Sequence, residues 1–216
     1  MIKSLVQCNA RRSWLALAVF VTFLSGCGEL LPKPVKTPPP VLYSLDNIQT
    51  FQHQVIQPAR AAAPVLVVST PRADAGFESA RIIYLRQAHK LEYFAQSQWV
   101  DTPAAMLSPL IVAALERNGT FKAVVQAPTS TAGQFRLDVD VIRLQHEFLV
   151  QPSRVRFTLR AHLLDTATRK VVAWREFDAV IPSASEDTYG GVMAANQAVR
   201  NVLEELAVFC SQVAQR

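Results

Sequence analysis

Val155, Phe157, Leu159, Ala161 and Leu163 alternate with Arg154, Arg156, Thr158, Arg160 and His162. A period of two held over residues 154–163 predicts a strand with one face in a core and the other in water. Upstream, Phe135, Leu137, Val139 and Val141 alternate with Arg136, Asp138 and Asp140, and the phase then slips so that Leu144, His146 and Phe148 continue the apolar set. A slip of one residue turns the apolar face outward, so the spacing predicts a bulge or twist near residues 142–143. Residues 165–169 read as a turn into a further strand over 170–181.

Earlier segments are shorter. Residues 65–69, an apolar run bounded by Pro64 and Pro71, read as a buried strand. Residues 81–86 and 90–96 flank Gln87-Ala88-His89, and the pattern pairs Ile82 and Tyr84 with Leu91 and Tyr93 across a hairpin. In the alternation of 90–96, Leu91, Tyr93 and Ala95 share one face, which leaves Phe94 on the other as an exposed aromatic. Residues 41–45 read as a short edge strand.

Thr102 followed by Pro103 signals a helix start, Leu107, Leu110, Ile111, Ala114 and Leu115 form its apolar stripe, and Asn118-Gly119 stops it. Pro109 either kinks this helix or marks where its regular part begins. A second helix starts near 183–187, where Ser183-x-x-Glu186 fits a capping box. Val192, Ala195, Val199, Val202, Leu206, Phe209 and Val213 then recur at three- and four-residue spacing, and Gly190 and Gly191 mark the helix entry or a close approach to the sheet. The expected fold is α+β: a single domain with a mostly antiparallel, or mixed, sheet flanked by two main helices.

Ahead of this body the pattern changes. Lys3, Arg11 and Arg12 precede an uncharged run, residues 14–24, and then Leu24-Ser25-Gly26-Cys27. Positive charge, a short apolar stretch and small residues come in the order of a secretory signal peptide, and the run is too short for a membrane span of ~20 residues. A plain signal peptide or an uncleaved anchor accounts for the first two features but has no use for the cysteine. The four residues resemble the bacterial lipobox, in which cleavage falls between Gly26 and Cys27 and the Cys27 thiol carries acyl chains such as palmitate. Several acyl chains hold a protein on a bilayer without spanning it, each buried methylene contributing ~0.8 kcal/mol. Residues 1–26 are thus read as the signal peptide and 27–40 as a lipidated tether whose Pro32, Pro34, Pro38, Pro39 and Pro40 favour an extended chain. At ~3 Å per residue such a tether reaches roughly 40 Å. Residues 41–216 form the domain.

Loss of residues 1–26 lowers Lys+Arg from 22 to 19 against 17 Asp+Glu, so the net charge of +5 falls to about +2. No concentrated basic module points to nucleic acid. Cys8 leaves with the signal peptide and Cys27 is consumed by lipid, so Cys210, set in a helical pattern, has no disulfide partner. His53, His89, His146 and His162 lack metal-ligand spacing, and no Gly-x-Ser-x-Gly elbow or phosphate-binding loop occurs. The expectation is a protein without enzymatic activity, metal or cofactor. Two surfaces stand as candidate partner contacts: Arg154, Arg156 and Arg160, which fit headgroups or an acidic partner when they are not simply a solvated strand face, and the aromatics Phe94 and Trp99, residues of a kind that more often belongs to the core.

Residues 81–125 carry Glu92-Tyr93-Phe94, Trp99, Asp101, Pro103, a Leu-rich helix, Asn118-Gly119, Phe121 and Val124. This pattern resembles the ABC-type transport auxiliary lipoprotein family, and the similarity continues through 135–148, 153–165 and 188–209. Pro109 and an insertion-like segment, 46–63, depart from it. The resemblance implies a sheet flanked by helices and a non-catalytic, lipid-anchored periplasmic subunit that docks an MCE-domain conduit, itself coupled to a permease and ATPase, during lipid transport. Gly28 rather than Asp after Cys27 favours the outer membrane over the periplasmic face of the inner one. A structural lipoprotein of another envelope machine, in cell-wall synthesis or secretion, and a lipid carrier with its own cavity are the alternatives.

Overall fold

The computed structural model describes residues 38–45 and 63–215. Its spine is the strand β7, Phe135–Glu147. One edge of β7 pairs along its whole length with antiparallel β8, Arg154–Asp165, which pairs in turn with antiparallel β9, Lys170–Pro182. Three short strands line the other edge of β7 in succession, all parallel to it: β2 (Val65–Val68), β3 (Arg72–Ala73) and β4 (Arg81–Gln87). Beyond them, β6 (Ala123–Gln126) joins β2 in parallel, β5 (Lys90–Trp99) joins β4 as the antiparallel arm of the hairpin, and β1 (Val41–Tyr43) closes the path parallel to β5. The sheet is therefore mixed, with nine strands among the described residues.

The predicted bulge falls between Val141 and Arg143, where Ile142 is the extra residue on β7. It restores the inward phase, so that Leu137, Val139, Val141, Leu144 and His146 are all buried. On β8, Val155, Phe157, Leu159, Ala161 and Leu163 face the same core.

Two helices cover that face. The first, α1, spans Pro103–Asn118. Its N-cap is Thr102, whose hydroxyl accepts from the amide of Ala105, and Gly119 ends it at φ 70°, a left-handed conformation that costs glycine little. The helix is continuous through Pro109, because the ring is exposed and the carbonyl of Ala105 that it leaves without a donor lies on the wet side.

The second helix, α2, spans Thr188–Ala214 and packs on α1, β7, β8 and β9. Its cap differs from the expected box. Asp187 accepts from the amide of Gly190, while the Ser183 hydroxyl donates to the carbonyl of Ser185 and the Glu186 carboxylate accepts from the amide of Ser153. The β8 loop thus draws Glu186 away, and the shorter Asp187 takes its place. A Cβ at Gly190 would collide with Ser185, and one at Gly191 with the His146 ring, so both glycines sit where the helix meets its neighbours.

The edge strand predicted at 41–45 is β1, with Leu45 running on into the core. Most of the insertion-like segment, 46–62, lies outside the described residues.

Candidate functional site

The face of β7, β8 and β9 opposite the helices carries the arginines. Register decides what each one meets. Glu147 stands opposite Arg154 and Glu176 opposite Arg160, while Asp178 stands opposite Thr158 and within reach of Arg156. Arg154 Nε donates to Glu147 Oε2 at 2.9 Å, and Arg160 Nη2 to Glu176 Oε2 at 2.8 Å. Arg156 makes a bidentate contact, Nε to Oδ1 and Nη2 to Oδ2 of Asp178, both at 2.9 Å, and the hydroxyl of Thr158 donates to Asp178 Oδ1 at 2.5 Å. These bonds hold the Arg156 and Arg160 guanidinium groups above their usual range and the Asp178 carboxyl below its own, in each case chiefly through the cross-strand hydrogen bond. The stripe is a ladder of ion pairs, with its positive charge largely met from within the sheet.

Val180, opposite Arg156, and the larger Trp174 interrupt that face with exposed apolar side chains. Trp174 is 63% exposed and stacks on His162, with ring centroids 6.3 Å apart and planes at 26°. The strand pattern held a sign of it, since Trp174 falls in phase with Glu176 and Asp178 on the polar side of β9.

Of the aromatic candidates, Trp99 takes the core reading and Phe94 departs from the exposure expected of it. Trp99 is 3% exposed, a member of the core, with its amide bonded to the carbonyl of Ala80. Phe94 is half-buried rather than exposed. Tyr84 pairs with Glu92, which sets residues 92 and 94 on the Tyr84 face and turns Leu91 and Tyr93 toward solvent. Phe94 then lies 4.6 Å from the Tyr84 ring, 6.4 Å from His146 and 6.5 Å from Phe148. The strand phase read from sequence is inverted, and neither Phe94 nor Trp99 presents a free docking ring.

His146 closes this cluster. It is 2% exposed, 4.1 Å from the Phe148 ring, and its Nε2 shares a 2.8 Å hydrogen bond with the Ser153 hydroxyl. Nδ1 has no hydrogen-bond partner and abuts Gly191. Burial drives its pKa below the ordinary histidine value, against the opposing pull of Glu186 and Asp187. Strand β7 ends at Glu147, one residue before Phe148, so Phe148, Leu149 and Val150 form an apolar loop instead of prolonging the strand. The amide of Phe148 donates to the carbonyl of Leu85, and Leu149 and Val150 are 45% and 43% exposed. An uncharged run between two strands was the signal for this loop, and continuing the alternation through Phe148 hides it.

Gly26 and Cys27 lie outside the described residues. Among the described residues no group of His, Cys, Asp and Glu could hold a metal ion, and no helix is long and apolar enough to cross a membrane. Cys210 is fully buried, and burial pushes its thiol up to about 12.

A family model for ABC-type transport auxiliary lipoprotein components matches residues 43–207, which run from the end of β1 into the last turns of α2. The chain belongs to this family. Among solved structures, this auxiliary lipoprotein is similar to a protein from Xanthomonas campestris at 28% identity, covering 73% of this chain and 91% of that one with a TM-score of 0.65. A second, uncharacterised protein matches at 13% identity over 80% of this chain and 99% of its own, with a TM-score of 0.62, and shows the shared fold alone. No curated protein matches. The family is one of lipoprotein components that are auxiliary to ABC transport.

Proposed function

We propose that this auxiliary lipoprotein is a non-catalytic periplasmic subunit of an MCE-type ABC transport system, held by acylated Cys27 in the outer membrane and docking the MCE conduit there. Family membership over residues 43–207 carries the reading. The lipobox at 24–27 supports the anchor, and the absence of Asp after Cys27 supports the outer membrane. The non-catalytic role is supported by what the polar groups do: the charged residues of β7–β9 bond one another across strands, and the Cys210 thiol is sealed in the core.

Affinity capture of the tagged, full-length protein from detergent-solubilised envelope tests the partner. An MCE-domain protein with its permease and ATPase is the expected catch. Recovery of cell-wall synthesis or secretion components instead would replace this reading by that of a structural lipoprotein. Cys27→Ser tests the anchor separately, because a hydroxyl is a far weaker nucleophile than a thiol. Labelled palmitate is expected to enter the native chain and not the variant, and incorporation into both would remove Cys27 as the acylation site.

A further inference from the structure

The two ends of the long strands β7–β9 differ in chemistry. At one end the β8–β9 turn, residues 165–169, is polar. Asp165 accepts from the amide and hydroxyl of Thr168 at 2.6 and 2.8 Å, and exposed Arg169 and Lys170 follow, with exposed Val171 and Val172 next along β9. At the other end sits the 148–150 loop with no charge and two exposed aliphatic side chains. Its amide bond to Leu85 brings it beside the β4–β5 turn, where Leu91 is exposed. The contact of Gly191 with His146 brings up the first turns of α2, where Tyr189 is 59% exposed and Met193 is exposed as well. Successive apolar residues at a loop tip carry a solvation cost that soluble domains avoid unless something covers them. Here they are also fixed in place, because Phe148 packs against Tyr84, Phe94 and His146.

Chain direction says what covers them. Strand β5 runs away from the β4–β5 turn, and β1 lies parallel to it with Val41 opposite Ser97. The chain that leads into Val41 therefore approaches from the side of the molecule bearing the apolar end. Ser97 is seven residues along β5 from Lys90, about 23 Å at strand rise, and the proline-rich stretch of 28–40 reaches roughly 40 Å. Charge at the rim is mixed: Arg86 and Lys90 share the carboxylate of Glu92, at 2.6 and 3.8 Å, and exposed Glu186 and Asp187 stand beside Tyr189. Aliphatic tips and an exposed tyrosine suit the interfacial zone of a bilayer.

We propose that the end of the domain formed by Leu149, Val150, Leu91 and Tyr189 rests on the phospholipid surface that holds the Cys27 anchor. The inference depends on the lipid anchor proposed above and adds an orientation to it: the arginine ladder then stands upright from the membrane, and the 165–169 turn points away from it.

Leu149→Cys, Tyr189→Cys and Thr168→Cys can each be labelled with an environment-sensitive fluorophore in the full-length, acylated protein, because Cys210 is buried and Cys27 is acylated in the anchor reading. The probes are vesicles of phosphatidylethanolamine and phosphatidylglycerol carrying spin-labelled lipid. Flotation with the vesicles reports the anchor alone. In floated protein the labels at 149 and 189 are expected to shift to shorter wavelength and to be quenched at least threefold more than the label at 168. Equal quenching at all three positions in floated protein overturns the orientation while leaving the anchor intact. Failure to float overturns the anchor, and the orientation with it. Shielding of position 149 in native envelope but not in pure lipid vesicles makes the occupant a protein and overturns the bilayer contact.

Discussion

The arginine ladder on β8 and the aromatic cluster at the end of β7 belong to one sheet and treat their polar groups in opposite ways. In the ladder's Arg156–Asp178 and Arg160–Glu176 pairs each charge is partly exposed, has a partner across a strand and can be lost without leaving a buried carboxylate, whereas the Glu147 carboxylate paired with Arg154 is buried. In the cluster a single imidazole is sealed from water, bonded through one nitrogen only, and enclosed by rings from β4 and β5, by the loop after β7 and by the backbone of α2. Exposed ion pairs contribute little because water and salt already screen them. The enclosed imidazole joins four segments at one point, so disturbing it disturbs all of them. Conspicuous charge marks the replaceable region, and the quieter cluster is where the domain is vulnerable.

The largest expected effect is therefore at Gly191. Glycine to alanine inside a helix ordinarily stabilises by up to ~1 kcal/mol. Here the added methyl meets the His146 ring, which Phe148 prevents from retreating, so Gly191→Ala is expected to destabilise by ~3 kcal/mol, an overpacking cost. Thermal unfolding followed by near-ultraviolet circular dichroism decides the sign, and a rise in midpoint would mean that the contact is loose. Next comes Phe94→Ala, which opens a half-filled site between Tyr84 and Phe148. A loss of ~2 kcal/mol is expected, below the ~3–5 kcal/mol of a fully buried ring. An unchanged midpoint would return Phe94 to the surface.

A smaller effect is expected from pH. With the His146 pKa lowered by burial, the unfolded chain binds the proton more readily than the folded one. The stability tied to neutral His146 is complete above the unfolded value near 6.5 and is lost as pH falls from there through the folded value, by no more than about 1.4 kcal/mol per pH unit. His146→Gln should flatten the slope of midpoint against pH between 6.5 and the acid range, and an unaltered slope would assign it to other groups. Smallest is Arg156→Ala. The pair with Asp178 is about one-third exposed on each side, so screening reduces its contribution to ~0.5 kcal/mol, fading further in high salt. Denaturant midpoints at two salt concentrations read it directly.

The same contrast explains what was legible in the sequence. On β8 every apolar residue from Val155 to Leu163 falls in one phase, and packing against α2 enforces that phase, so alternation alone gives both the strand and its buried face. The Thr102 and Gly119 caps and the Ile142 bulge are likewise local signals with local causes. Strand β5 carries apolar residues in both phases, Leu91 and Tyr93 in one and Phe94 in the other, and the choice is made by Tyr84 on β4, His146 on β7 and Phe148 in the loop after β7. The cap of α2 has the same character: Ser183-x-x-Glu186 has the right spacing, but the amide of Ser153, distant in sequence, takes the carboxylate. The arginine stripe could be seen as a row of charges. Its ion pairs could not, because they depend on the register of β9 against β8.

The way β1 joins the sheet has a mechanical consequence. The strand runs parallel to β5, its Tyr43 carbonyl accepts from the amide of Val100, and the chain continues through Ser44, whose carbonyl accepts from Asn196 on α2, into buried Leu45. A pull on the chain ahead of Val41, directed back along the strand, loads these bonds in shear, all at once, instead of peeling them one by one. If the lipidated N-terminus is held fast while a partner tugs on the domain, the tension passes first through the β1–β5 ladder and the Ser44–Asn196 clasp. Such a joint resists brief loads far better than a hairpin peeled from its end, and it lets a three-residue strand serve as the hitch between an anchor and the domain behind it.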